Sequence, residues 1–349
     1  MTARARWVEN RDLVLGRLGV APDGLLPGPS LLHSARGLVE RHGLVPCALS
    51  RVSLAGRPTW LALESMQTTG SFKVRGALMA IEAMRHAVSY VGGEAEGHWV
   101  VTASAGNHGA GVAYAAKRLG VEATVVVPKT AARTKVAKIQ AYGAIVIEAK
   151  EPGYDGAERE AMALAKERGV PFLSAFDDVD VVAGNGGSLG YDIVRALGKV
   201  PDEVICPVGG GGIASGLACA FAMEGGARHP VIGVQIERSP AFAMSLERGE
   251  AVTELPAATT LAEGLEGGLP ERAFARLRHT VRGALVVDED MIAAAMRFAV
   301  RDLGLVLEGS AAAALAAAMH DPREDAPSVE RVVVLTGRNV DRERLAELC

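Results

Sequence analysis

From residue 98 onward, short β-branched runs alternate with longer stretches of helical period: HWVVTA then SAGNHGAGVAYAAKRLG, ATVVVP then TAARTKVAKIQAYG, AIVIEA then YDGAEREAMALAKERG, and then PFLSAF. This rhythm predicts parallel strands joined by crossover helices, and so a small α/β domain over residues 98–177. No long linker breaks the chain, so the small domain is expected to be inserted into a larger one formed by residues 1–97 and 178–349. Downstream, VICPVGGGG with a following helix, VIGVQIE, a polar stretch, a helix over 288–303, an alanine-rich helix over 310–320 and the strand RVVVLTG continue the pattern. Upstream, residues 1–45 read as a helical, Arg-rich lead-in followed by a Pro/Gly loop. Residues 49–64 alternate around Gly56-Arg57-Pro58 as a hairpin.

With 349 residues, 49% of them apolar and 22% charged, the chain has the make-up of an ordinary globular protein able to bury a substantial core. A net charge of -4 leaves no basic footprint for nucleic acid or an anionic membrane. The longest uncharged run, residues 204–223, reaches spanning length, yet Pro207 and four consecutive glycines argue against a membrane helix. Cys47, Cys206, Cys219 and Cys349 show no CxxC spacing, which points to neither zinc nor a disulfide framework and fits a reducing cytoplasm. The N-terminus mixes acids with its arginines and has no apolar core, unlike a secretory signal. A small-molecule partner is expected, rather than nucleic acid or a membrane.

Candidate chemistry begins with ESMQTTGSFKVRGA, residues 64–77, which sets Lys73 between Gly70-Ser71-Phe72 and Arg75-Gly76. The flanks read as a tight turn opening a helix, so that Phe72 and Lys73 stand at a helix N-terminus, where anions and cofactors sit. A free lysine amine titrates at about 10.4 and is a poor nucleophile until burial or a nearby cation depresses that value. Joined to an aldehyde cofactor and then displaced by substrate, the same nitrogen is released as a neutral base. The alternative is a surface lysine stretched over a helix end. SAGNHG, residues 104–109, sits where a strand hands over to a helix. Its free N–H groups could bind an anion, or Ser104 or Asn107 could simply cap the first turn. VGGGGIASG, residues 208–216, also follows a strand and opens a helix, so its N–H groups can wrap a phosphate. Gly209, Gly211 and Ala214 equally satisfy GxGxxA, with Glu237 after the next strand where a ribose-binding acid belongs. That leaves a dinucleotide-binding oxidoreductase or binding module open.

Together and in this order, these stretches resemble the fold-type II pyridoxal-phosphate enzymes, and within them the threonine/serine dehydratase and serine racemase branch. TLAEGLEGG (260–268), LEGSAAAALAA (from 307) and LTGRNVD (335–341) extend the likeness over nearly the whole chain. The resemblance implies a tryptophan synthase β-like α/β fold: two open, twisted, mostly parallel sheets flanked by helices. It implies pyridoxal 5'-phosphate as cofactor, a cytoplasmic homodimer, and an ammonia-lyase. The expected reaction is β-elimination from a β-hydroxy-α-amino acid such as L-threonine or L-serine, giving a 2-oxo acid and ammonia. On matching positions, the implied catalytic residues are Lys73, Ser104 and Asn107. The implied cofactor contacts are Phe72, Lys73, Asn107, Gly209, Gly210, Gly211, Gly212, Ile213, Glu263, Gly264, Glu308 and Thr336. The implied substrate contacts are Ser104, Ala105, Gly106, Asn107, His108 and Arg338.

The departures from the family pattern matter as much. The racemases carry a serine where this chain has Ala105, an acid/base on the face opposite the lysine, so racemisation stays only as an alternative. Thr336 stands where a serine hydroxyl meets the ring nitrogen. A neutral hydroxyl does not hold that nitrogen protonated, which favours quick elimination. Arg338 replaces a usual glycine and either points to solvent or enters the pocket. There a guanidinium could pair with a second carboxylate, so 3-hydroxyaspartate or another larger β-hydroxy amino acid is an alternative substrate. Where some members hold a divalent cation through two carboxylates, this chain has Gln235 and Ala241, and no metal is expected. The chain ends a few helical turns past LTGRNVD, so a C-terminal regulatory domain with isoleucine feedback is not expected.

Overall fold

The computed structural model of the chain describes residues 4–11, 13, 24–90, 99–151, 153–225, 229–323 and 329–348. Its strands are β1 (Arg6–Glu9), β2 (Leu49–Leu54), β3 (Arg57–Ala62), β4 (Trp99–Ala103), β5 (Glu122–Val127), β6 (Ile145–Glu148), β7 (Glu203–Pro207), β8 (Val231–Ile236), β9 (Gly283–Val287) and β10 (Arg331–Val334). They form two sheets, one ordered β1-β9-β8-β7-β10-β3-β2 and one ordered β4-β5-β6. In the larger, β9, β8, β7, β10 and β3 run parallel, while β1 and β2 pair antiparallel at the edges. The smaller is parallel throughout. Parallel strands need crossover helices that cover both faces, and β7, β8 and β9 are accordingly buried at every position. The alanine-rich helix Gly309–Met319 is buried along nearly its whole length, because alanine lets it lie close to the strands and to the helix Glu289–Leu303.

Three segments differ from the expected pattern. Ahead of its Pro/Gly loop the described part of the lead-in is not helical: Trp7 and Val8 extend it into β1, which completes the open edge of β9, and the helices Pro29–Arg36 and Leu38–His42 come only at the end of the loop and after it. Residue 12 and residues 14–23 of that lead-in, and Cys349, lie outside the described residues. PFLSAF makes only an isolated bridge between Val101 and Phe172. Pro171 has no N–H to give a ladder, and past Leu173 the chain bends toward Lys73. The polar stretch before residue 288 holds two helices, Ala241–Arg248 and Glu271–Arg278, as well as β9. Among the described residues no helix is long and apolar enough to cross a membrane.

The sheet order explains why distant motifs meet. β3, β10 and β7 are parallel neighbours, with Val334 opposite Ala62 and Val333 opposite Ile205. Their carboxyl ends release the lysine turn, LTGRNVD and the glycine loop side by side, at the place where open α/β sheets bind ligands.

Candidate active site

Between β3 and the lysine helix (Lys73–Tyr90) the chain makes a short 3-10 turn, Glu64–Met66, and then a tight bend at Gly70, whose φ of 76° is left-handed. A Cβ there would also sit 2.5 Å from Asn339 Oδ1. Two main-chain bonds pin the bend to the segment after β10: Phe72 N–H donates to the Thr336 carbonyl (3.1 Å) and Ser65 N–H to that of Leu335 (2.8 Å). Beneath it Arg75 is fully buried. Its guanidinium donates to both oxygens of Glu64 (2.8 and 2.7 Å), to Asp192 (2.8 Å) and to the Ser188 hydroxyl (3.0 Å). Held by this base, Lys73 Nζ donates to the Ala175 carbonyl at 2.9 Å and stands 5.2 Å from the centre of the Phe72 ring. Burial pulls the amine down to about 8, against the opposing pull of Glu308.

β4 delivers the second loop. The Ser104 hydroxyl accepts the Gly106 N–H (3.1 Å), while the helix Asn107–Leu119 begins without a side-chain cap from Gly106. Ser104 therefore braces the loop, and the first N–H groups of the helix face a prospective anion. Asn107 is no cap either: its amide donates to both oxygens of Glu308, at 2.8 and 3.0 Å. The two helices approach backbone to backbone at Gly111, where a Cβ would lie 3.0 Å from the Lys73 carbonyl. His108 is buried, its Nε2 lies 3.4 Å from the Leu173 carbonyl, and its Nδ1 has no partner. Burial, followed by the nearby Lys73 amine, pushes the imidazole to about 3, so it is neutral at physiological pH.

The glycine loop after β7 is built for close approach. Gly211 has φ 75°, and a Cβ on it would lie 2.8 Å from Leu277; one on Gly209 would lie 2.6 Å from the Gly264 carbonyl, and one on Gly210 would overlap the Phe176 ring. The helix Gly212–Met223, which Ile213 enters, starts with no side-chain cap from Gly211. Its leading N–H groups have no carbonyl a turn behind them. Gln235 ties down the base of the loop: its amide donates to the Val208 carbonyl (3.3 Å) and accepts the Ala243 N–H (2.9 Å). Among the described residues no three His, Cys, Asp or Glu side chains converge as a metal site would require.

A polar network joins these parts. Glu308, which takes Asn107, also accepts the Asn339 N–H (3.2 Å), and a Cβ on Gly337 would overlap its carboxylate. Burial raises the carboxyl of Glu308, with the bond from Asn107 opposing. Asn339 donates to the Asn107 amide oxygen (2.5 Å) and to the Thr69 carbonyl (3.0 Å), and Lys138 Nζ donates to Thr69 (2.8 Å) and to Asn339 Oδ1 (2.6 Å). Asn339 lies inside a motif already singled out. Nothing in KVAKIQ sets Lys138 apart from the solvent-facing lysines of an amphipathic helix, and sequence reasoning passed over it.

One expected contact falls elsewhere. Glu263 turns away from the site: its side chain is 50% exposed and pairs with Lys135 and Arg344. The adjacent Gly264 faces inward, with its carbonyl against Gly209 and its N–H donating to the Ser310 hydroxyl at 3.0 Å. Arg338 stands at the rim, donating to the Ser65 carbonyl (2.5 Å) beside the Met66 sulfur. Thr336 is buried at the end of β10, next to Phe72.

These residues fit pyridoxal phosphate. Glycines packed too closely for side chains, with uncapped helix N–H groups, form a hollow that a phosphate group would fit. A buried amine lies within reach of an aldehyde, and Phe72 offers an apolar wall. The pyridoxal-phosphate dependent enzyme family matches residues 41–337. A biosynthetic L-threonine dehydratase of Burkholderia multivorans is 36% identical over 292 residues, covering 82% of this chain but only 56% of that longer protein. A catabolic L-threonine dehydratase of Staphylococcus aureus is 33% identical, over 90% of this chain and 88% of that one. A solved aspartate racemase superposes with a TM-score of 0.80 at 30% identity, over 91% of this chain and 98% of its own. The dinucleotide-binding alternative falls to these matches. With its two open sheets, its buried lysine and its glycine cradle, the chain belongs to the fold-type II pyridoxal-phosphate dependent enzymes, and pyridoxal phosphate is its cofactor.

Proposed function

We propose that the chain eliminates water and ammonia from a β-hydroxy-α-amino acid, with L-threonine and L-serine as the first substrates to try, to give a 2-oxo acid. The observation that carries this reading is one buried amine, Lys73, set between two uncapped helix starts, one suited to a carboxylate and one to a phosphate. When bound, pyridoxal phosphate withdraws electrons from the α-carbon of the amino acid, which makes its α-proton removable.

The protein's part is positioning and proton transfer. The N–H groups of the 104–108 loop hold the substrate carboxylate, with Ser104 keeping the loop in shape. The N–H groups of Gly209–Gly212 and Ile213 hold the phosphate. Phe72 flanks the ring, Asn107 is aimed at it by Glu308, and Thr336 offers its nitrogen a neutral hydroxyl. The free amine of Lys73 takes the α-proton. The resulting ammonium returns a proton to the departing β-hydroxyl, which leaves as water. The enamine so formed tautomerises, takes up water and sheds ammonia, so threonine yields 2-oxobutanoate.

Similarity to the two threonine dehydratases supports elimination. A second reading, racemisation, is motivated by the likeness to the aspartate racemase. It needs a proton donor on the face opposite Lys73. Ala105 has none to give, and His108, at about 3, stays neutral. The test is a visible spectrum of the purified protein with and without L-threonine, L-serine and 3-hydroxyaspartate, with 2-oxo acid assayed alongside. A visible cofactor band that disappears in Lys73→Ala, together with oxo acid from at least one substrate, is the expected result. D-Amino acid without oxo acid would replace elimination by racemisation.

A further inference from the structure

We propose that Lys138 and Arg338 form a second anion subsite, which takes a carboxylate on the substrate's side chain and makes a dicarboxylic β-hydroxy amino acid the preferred substrate. The proposal rests on the elimination reading above and narrows it. The two cations come from opposite sides of the site. Lys138 lies on the helix Arg133–Ala141, which follows β5 of the smaller sheet, and Arg338 on the loop after β10 of the larger. Both are half-buried, and neither makes an ion pair among the described residues.

Their partners are neutral: the Thr69 carbonyl and the Asn339 amide for Lys138, the Ser65 carbonyl for Arg338. Lys135, one turn earlier on the same helix, has Glu263 as its counter-ion. The two residues bond to adjacent carbonyls, Lys138 Nζ to Thr69 (2.8 Å) and the Arg338 N–H to Gly70 (2.9 Å), and burial and then Arg338 lower the Lys138 amine. Glu308, which holds Asn107 and Asn339, opposes that shift. Two like charges held together in partly desolvated surroundings are unfavourable until an anion joins them, and a guanidinium offers a carboxylate paired donors.

The position selects the anion. Lys138 bonds to Asn339, and Asn339 to Asn107, so the subsite is two hydrogen bonds from the loop assigned to the α-carboxylate. That loop has its own N–H donors and the phosphate has the glycine cradle, which leaves these cations for a third anionic group. In a four-carbon amino acid such as 3-hydroxyaspartate that group is the β-carboxylate.

The test uses the holoenzyme and two unreactive probes lacking an amino group, succinate as dianion and butyrate as monoanion, in calorimetric titrations. Succinate should bind at least about tenfold tighter than butyrate, and Lys138→Met and Arg338→Gly should each remove about that factor for succinate alone. Lys138→Arg should restore it. Binding of butyrate by the variants reports an intact site. In kinetics, the ratio of kcat/KM for 3-hydroxyaspartate to that for threonine should fall about tenfold or more in both variants. Succinate binding no tighter than butyrate, or equal losses for both probes, would overturn the subsite, the latter by assigning the cations to the α-carboxylate. Absence of oxo acid from every substrate would instead sink the elimination reading, and the titrations would still decide the subsite.

Discussion

A lysine becomes a usable base near neutral pH when its surroundings disfavour the charged form, and Lys73 meets that condition through burial. Its folded value, about 8, lies below that of a free lysine, so the neutral amine appears at lower pH than it would in an unfolded chain. The rate at which apoprotein takes up pyridoxal phosphate should therefore climb with pH and level off above about 8, as followed by the growth of visible absorbance. A rate still climbing towards the roughly 10.4 of an unperturbed lysine would mean that Lys73 is solvated. Arg75 is the structural counterpart. The sequence offered it only as a flank of the turn, because the partners that fix it, Asp192 and Ser188, are 117 and 113 residues away. Replacing it with methionine leaves Glu64 buried without a cation and Asp192 with only Arg195, an imbalance that typically costs about 3–5 kcal/mol. Urea denaturation of Arg75→Met should show a loss of that order.

At the scale of elements, what could be read in the sequence is what local period encodes. The strand-loop-helix rhythm from residue 98 and the two glycine-rich strand exits carry their signals within a dozen residues, and β4 to β7 with their helices form accordingly. Illegible elements depend on distant partners: β1 exists because β9 has an open edge, and AGNGGS gives no periodic signal at all. In the structure Ala183–Gly187 is a π-helical segment wedged between the lysine helix and the helix Gly212–Met223. Asn185 in it accepts the Gly76 N–H at 2.9 Å, closing the first turn of the lysine helix. A Cβ on Gly186 would overlap the Ile213 carbonyl, and one on Gly216 the Val182 carbonyl, so this crossing admits only glycine. Gly186→Ala should destabilise the fold by about 1–3 kcal/mol, the usual cost of overpacking, and should loosen the cofactor as well, because the clash falls on the helix that opens the phosphate cradle. A urea midpoint and a cofactor titration on the same variant would show both effects.

Across the whole molecule, the helix Arg133–Ala141 clasps one sheet to the other over the site. Thr134 bonds Asp341, Lys135 pairs with Glu263, and Lys138 reaches Asn339 and Thr69. The family likeness placed Glu263 against the cofactor by position in the sequence, which specifies a backbone path but not the side of a loop that a carboxylate faces. The structure turns Gly264 inward and Glu263 outward, where it joins Lys135 to Arg344. An exposed ion pair of this kind contributes about 0–1 kcal/mol and is screened by salt. Glu263→Ala and about 1 M salt should therefore act on the same contact, each raising KM for the best substrate by no more than about fivefold, with salt adding little once the carboxylate is gone. The visible cofactor band and the cofactor's affinity should be unaffected by the substitution, since the charge removed belongs to the clasp. A Glu263→Ala protein that loses its cofactor on dialysis would return this side chain to the ring. One whose KM keeps its full salt response would free the clasp from Glu263 and place the salt-sensitive step at Lys138 and Arg338.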